Sequence, residues 1–521
     1  MTVASDRPSA GAAVAPGASP PSSVESVQDW APLLERAFDF VPEARSERLE
    51  PAEGEVPAWL KGTYYVNGPA RFRRGELAYQ HWLDGDGLVC SLVFGDPAEE
   101  GGVRFRSRFV ESVKLHDEEA EERALYRAFG TGFAGDRLLR GIALASPANV
   151  SVYPVAGTLL AFGEQGLPWE LDPVTLETRG EHTFGGRLNA VSPFSAHPNL
   201  DHHTGQMVNF GVSFAADRPT LNLYTFDPGG ALLSRRRTPL PYPASIHDFG
   251  LTRRFAVFYV NPYLLDMAPL MSEGATVLDC LSWRPELGSS LVVVDRESGE
   301  EVARVPVGER YCLHHVNAFE DESGRLVVDV LELEEPVYPD YRPIPELFVE
   351  VAPAHPVRYV VDLAAPTGAG GGPRLAERRA APYRLAADFP AVDPTRAGRP
   401  VDRFWMLAIS ATGKPGRKFL DRVVAVDYAA GPGEAAEVDA WQAPPRRYLG
   451  GEPIYLGHPG ASPDALVIVQ EFDAEARSSA FLLFDAYDLA AGPVARLPLS
   501  APLPPLFHAS FNPAAPDAAV R

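Results

Sequence analysis

Short apolar runs rich in β-branched and aromatic residues alternate with clusters of Gly, Pro, Asp and Ser along nearly the whole chain. The runs suit a pleated, half-buried surface and the clusters suit turns, so the pattern predicts many short strands. One unit recurs: an apolar strand ending in Asp, a turn, then a second strand. It appears at Leu92-Val93-Phe94-Gly95-Asp96, Trp169-Glu170-Leu171-Asp172, Tyr224-Thr225-Phe226-Asp227 and Val292-Val293-Val294-Asp295. It returns at Tyr359-Val360-Val361-Asp362, Val424-Ala425-Val426-Asp427 and Leu482-Leu483-Phe484-Asp485. The copies stand 55 to 76 residues apart. Seven such copies predict an all-β fold, a seven-bladed β-propeller with large, irregular blades.

Two stretches depart from the repeat. Residues 111–145 carry helical composition, at Glu118 to Ala128 and again at Gly135 to Ala143. Residues 261–290 are loop-like, between the strand Phe255 to Val260 and the next at Leu291. Both are expected to be cap insertions in a single domain spanning 29–521. Residues 29–38 have the pattern of a short amphipathic helix. The tail 1–28, rich in Ala, Ser, Pro and Gly, is expected to be disordered.

Composition narrows the function. The 51 prolines and 45 glycines, spread along 521 residues, favour turns over long helices. A net charge of −22 repels phosphate backbones and argues against nucleic acid as a partner. Three scattered cysteines make no disulfide framework, which fits a reducing cytoplasm. The N-terminus lacks the basic start and apolar run of a secretory signal, and no apolar run is long enough to span a membrane.

Four histidines fall in register with the repeat. His197 is 25 residues after Asp172, His247 is 20 after Asp227, His314 is 19 after Asp295 and His508 is 23 after Asp485. Each is expected to open the innermost strand of the next blade and face the axis. The same count reaches Asp388 from Asp362 and Glu452 from Asp427. Because His508 ends the count, the C-terminal strand should complete the first blade. In the blade with the 111–145 insertion, the inner strand is expected at Asn149-Val150-Ser151-Val152. Each histidine alone is more often a hydrogen-bonded core residue than a ligand. Four in one register predict a site for a divalent transition metal, made of neutral imidazoles without a carboxylate ligand. Imidazole alone does not choose among Fe, Zn, Cu and Ni. Asp388, Glu452 and Glu164 are candidates to fix the outer ring nitrogens. His315, next to His314, should point the other way by strand alternation. His81, His116, His182, His202, His203, His355 and His458 lack the register and read as structural or surface residues.

The contexts of these histidines resemble those of the carotenoid cleavage oxygenase family, which includes the retinoid isomerohydrolase. So do Gly62-Thr63-Tyr64-Tyr65-Val66-Asn67-Gly68-Pro69, His81-Trp82-Leu83-Asp84-Gly85-Asp86-Gly87, Leu171-Asp172-Pro173-Val174-Thr175-Leu176-Glu177-Thr178 and Gly451-Glu452-Pro453-Ile454. The resemblance runs from about Leu49 to Phe511. It implies a seven-bladed propeller with a helical cap over its top face and one Fe(II) bound by His197, His247, His314 and His508. It places the family's three carboxylates behind the ligands at Glu164, Asp388 and Glu452. It implies scission of a conjugated double bond of a carotenoid or apocarotenoid by O2, giving two carbonyl products. The alternatives are a non-oxidative retinoid-type isomerase or ester hydrolase, and a catalytically weak carotenoid-binding propeller.

Three positions depart from the family pattern. Position 388 is Asp where Glu is usual, so its bond to a ligand is expected to be long, water-mediated or absent. Val150 resembles the animal branch, because plant and cyanobacterial members often carry Thr there. Gly163 and Phe129 stand where stilbene-cleaving members use Lys and Tyr to hold a phenol, so a phenolic stilbene is a poor fit. Phe129, Tyr126, Trp169 and Phe319 are candidates to line an apolar tunnel. The apolar segment with Tyr263, Leu264, Leu265, Met267, Leu270 and Met271 is a candidate membrane patch at the tunnel mouth, or else buried cap.

Overall fold

The computed structural model describes residue 33 and residues 35–513, apart from 96–101, 140–143, 165, 190, 215–217, 272–274, 341–350, 365–375, 382, 384, 411–418, 429–435 and 461. The tail 1–28 lies outside the described residues, as does most of the helix expected at 29–38.

Seven antiparallel sheets of four or five strands form the blades of a propeller. The strand–Asp unit is the third strand of every blade, counted from the axis. These strands are largely buried and carry an apolar run before the Asp, as in Ser289–Asp295 and Ser478–Asp485. The terminal Asp turns the chain by accepting backbone N–H groups. Asp172 Oδ1 takes those of Val174 and Thr175, and Asp295 Oδ1 takes those of Glu297 and Ser298. The outermost strand follows, as in Leu232–Pro239, where buried and exposed positions mix. The chain then returns to the axis as the inner strand of the next blade, which explains the similar count from each Asp to its axial residue.

The ring closes at the first blade. Ala509–Asn512 pairs antiparallel with Gly62–Pro69, setting Phe511 opposite Tyr64 and Ala509 opposite Val66. A second clasp pairs Glu53–Gly54 with the outer strand Pro493–Pro498 of the last blade. Both ends of the chain therefore hold the ring shut, and the closing strand starts directly after His508.

The cap is less helical than expected. Its one α-helix among the described residues is Val113–Ala120, earlier than the Glu118–Ala128 stretch. Ser112 caps its start by accepting the Leu115 N–H, and Glu122 at φ +53° ends it. The carboxylate of Glu118 accepts the N–H groups of Leu125 and Tyr126, which folds the following residues into a buried loop. No helix forms over 135–139, and 140–143 lie outside the described residues. The insertion at 261–290 contributes the hairpin Tyr263–Leu265 with Leu281–Trp283 and single 3-10 turns. No helix among the described residues is long and apolar enough to cross a membrane.

Closure makes one glycine critical. Gly62 has φ +131°, and a Cβ there would stand 2.4 Å from the Asn512 carbonyl oxygen. Gly62→Ala is expected to destabilise the protein by about 1–3 kcal/mol, seen as a lower thermal midpoint.

Candidate metal centre

All seven inner strands bring their axial residue to the same face. His197, His247 and His508 stand just before Asn199–Asp201, Gly250–Leu251 and Ala509–Asn512, and Val150 just before Ser151–Val155. His314, Asp388 and Glu452 lie within Tyr311–Glu320, Ala387–Ala391 and Arg447–Gly457. These last three strands are bulged at these residues. Pairing shifts between Cys312 and His315, between Asp388 and Ala391, and between Gly450 and Ile454. A bulge re-aims a side chain that a regular pleat would send to one face of the blade.

The four histidines are buried, and one ring nitrogen from each lies within 4.8 Å of the others. Neighbouring ring centroids are 4.3 to 5.0 Å apart. Ser195 ties two of the ligand segments together, donating to the His247 carbonyl and accepting the His197 N–H, both at 3.1 Å. A carboxylate stands behind the outer nitrogen of three of the rings, and at His314 it is hydrogen-bonded. Asp388 Oδ1 is 2.6 Å from His314 Nδ1, Glu164 Oε1 is 2.8 Å from His247 Nδ1, and Glu452 Oε2 is 3.4 Å from His508 Nδ1. A carboxylate there keeps the proton on Nδ1 and turns the Nε2 lone pair inward.

That arrangement fits a cation. His247 Nε2 and His314 Nε2 face each other at 3.2 Å, and His197 Nε2 is buried without a hydrogen-bond partner. Inward lone pairs at such a distance repel unless a positive ion lies among them. Burial, then the neighbouring imidazoles, push His197 well below the usual histidine range, keeping it neutral as a ligand must be. The centre can therefore hold a divalent transition metal through four imidazole nitrogens.

Asp388 corrects the expectation of a long or absent bond, since its contact with His314 is direct and short. Tyr338, which the sequence did not single out, is the residue missed. Its hydroxyl lies 3.0 Å from His247 Nδ1, in line for a hydrogen bond, whereas the Glu164 oxygen is close but off that line. Tyr338 sits in a single 3-10 turn after an undistinguished Glu-Glu-Pro-Val run, so no periodicity marks it. His81 donates to or accepts from the surrounding backbone through both ring nitrogens, at the Tyr338 carbonyl and the Leu83 N–H, as a structural residue would. His315 lies outside the four-nitrogen cluster, with Nδ1 3.9 Å from Asp248.

A cavity of about 570 Å³ adjoins the centre. Its wall includes Phe129, Trp169, Leu265 and Met267, and it shares Glu164 and Tyr338 with the recess around the metal ligands, which Val150 also lines. Two lining expectations are corrected. Tyr126 packs in the cap with Leu125 and Ala145, its hydroxyl bonded to Asp117. Phe319 packs with Val327 and Val360 beneath the Arg358 guanidinium. It lies five residues beyond His314 on the same strand, roughly 17 Å away along the blade. Of the two readings of the apolar segment at 263–271, the described residues fit buried cap better. Tyr263, Leu265 and Leu270 are buried, Leu264 and Met267 are half-buried, and the Met271 side chain lies outside the described residues.

Fold and site together define a seven-bladed propeller whose four clustered histidines could hold a metal ion beside a mainly apolar cavity. The family model described as retinal pigment epithelial membrane protein (RPE65) matches residues 38–513. The chain belongs to this family, that of the carotenoid cleavage oxygenases. It is 30% identical over 518 residues to an apocarotenoid-15,15'-oxygenase of Synechocystis sp., covering 95% of this chain and 98% of that one. It is 28% identical to lignostilbene-alpha,beta-dioxygenase isozyme III of Sphingomonas paucimobilis, over 86% of this chain and 90% of that one. A solved structure of cobalt-substituted Synechocystis apocarotenoid oxygenase, 28% identical, gives a TM-score of 0.81 over 94% of this chain and 99% of that one. The chain is an oxygenase of the kind that cleaves a carbon–carbon double bond.

His314→Ala is expected to lose most bound metal by elemental analysis, and His315→Ala to keep it. Glu164→Gln is expected to weaken metal retention about 10- to 100-fold.

Proposed function

We propose that the protein holds iron(II) on His197, His247, His314 and His508 and cleaves a conjugated double bond of a carotenoid or apocarotenoid with O2. The observation that carries this reading is the meeting of two features. Four buried imidazoles surround one point, and that point adjoins a mainly apolar cavity. Imidazole donors suit several metals, and iron is supported by the family. Iron(II) supplies the redox chemistry that lets dioxygen react with a double bond.

The residues of the chain bind and orient. One C=C and one O2 become two C=O groups, so both oxygen atoms enter the products and no proton is gained or lost. The chain therefore needs no general base for the overall reaction. Glu164, Asp388, Glu452 and Tyr338 hold the ligand rings in place. Phe129, Trp169 and Met267 surround the polyene and keep water from it.

A polyene suits this cavity better than a phenolic stilbene. A Cβ at Gly163 would lie 2.4 Å from Ser146 Oγ, so a lysine does not fit there without movement. Phe129 has no hydroxyl. The cation in the cavity wall, Lys114, is held by Asp86 at 2.7 Å and Glu118 at 3.3 Å. Burial of that trio leaves it committed to its partners rather than to a phenolate.

The test is turnover of apocarotenals by iron-loaded protein under 18O2, with product masses read out. Label in both carbonyl products is expected. Unlabelled products would point to hydrolysis or isomerisation, and bound polyene without O2 uptake to a binding protein. A hydroxystilbene is expected to be turned over with a kcat/KM at least about tenfold below that of the apocarotenal, the size expected when a polar group loses its partner.

A further inference from the structure

Phe389 has a backbone unusual for its side chain. Its φ is +54°, in the left-handed region that a bulky residue enters only when its surroundings enforce it. It precedes Pro390, which disfavours the right-handed helical region as well. The ladder skips it: Asp388 pairs with Leu407 and Ala391 with Trp405, leaving Phe389 and Pro390 in the bulge.

The consequence falls on Asp388. The Phe389 N–H donates to Asp388 Oδ1 at 2.9 Å. That same oxygen lies 2.6 Å from His314 Nδ1. The left-handed turn thus fixes the carboxylate rotamer at the distance the histidine needs. What enforces the turn is the ring. Phe389 is buried, with its centroid 5.2 Å from that of His508, 5.8 Å from His314 and 6.1 Å from Phe507. The other axial carboxylate uses a cheaper device: Gly451 precedes Glu452 and takes φ +70° with no Cβ to oppose it.

We propose that Phe389 is a positioning residue: its enforced left-handed backbone pins Asp388 on His314 and replaces the reach of the longer glutamate. Asp388 is then a matched partner and not a weakened one. The proposal rests on the reading of the four histidines as a metal centre.

Cobalt(II) titrated into the metal-free protein, followed by its visible absorption, tests this. The variants are Phe389→Ala, Phe389→Gly and Asp388→Glu. Alanine loses the ring but keeps the Cβ that opposes positive φ, so the backbone relaxes and binding weakens about tenfold. Glycine also loses the ring, yet adopts the left-handed turn freely, and should bind about fivefold more tightly than the alanine variant. A role in packing alone would rank glycine equal to alanine or below it. Asp388→Glu overshoots the pinned position and should weaken binding about tenfold. If Phe389→Ala fails to fold, the comparison of Asp388→Glu with wild type still decides. Glycine no tighter than alanine, or Asp388→Glu as tight as wild type, overturns the proposal. Wild-type protein that binds no cobalt overturns the metal centre and this proposal with it.

Discussion

Everything in this structure serves one electrostatic demand: four imidazole lone pairs must face a single point. Left to themselves they would repel, or a shared proton would draw two of them together. Partners on the outer nitrogens oppose the second outcome: Asp388 is hydrogen-bonded to His314 Nδ1, Tyr338 to His247 Nδ1, and the Glu164 and Glu452 carboxylates lie close by. A positive ion resolves the first. Because no carboxylate lies among the four clustered groups, a bound ion would keep its full charge.

A propeller meets that demand by geometry. Each inner strand contributes one residue near the axis, so ligands far apart in sequence converge without any local motif. The arrangement depends on ring closure, since His508 is delivered by the strand that seals the first blade. Bulges then make the final adjustment at three of the inner strands. The cap insertions contribute cavity walls, and Tyr338 reaches in from its own turn to the edge of the centre.

Blade count and ligand register were legible because both follow from a repeat. Apolar third strands ending in Asp recur, and the distance from each Asp to the axis is nearly constant. Family motifs supplied the chemistry that spacing could not. What stayed hidden depends on backbone detail or on packing between distant segments. The reach of Asp388 could not be read from its length, because Phe389 sets it through a φ angle. Tyr338 lies in a turn with no pattern. Tyr126 and Phe319 are aromatic and near the right positions, yet a buried loop turns one away and strand length removes the other. The apolar run at 263–270 reads equally as an exposed patch or buried cap, and only its neighbours decide. The cap's composition suggested helix at Glu118 to Ala128, but Glu118 bonds its own downstream backbone and the helix ends early.

X-ray absorption of the iron-loaded protein tests the central claim most directly. Four imidazole nitrogens are expected in the coordination sphere, with the outer-ring scattering typical of histidine, and no protein carboxylate. A sphere containing a carboxylate from Glu164, Asp388 or Glu452, or fewer than four histidines, would contradict it.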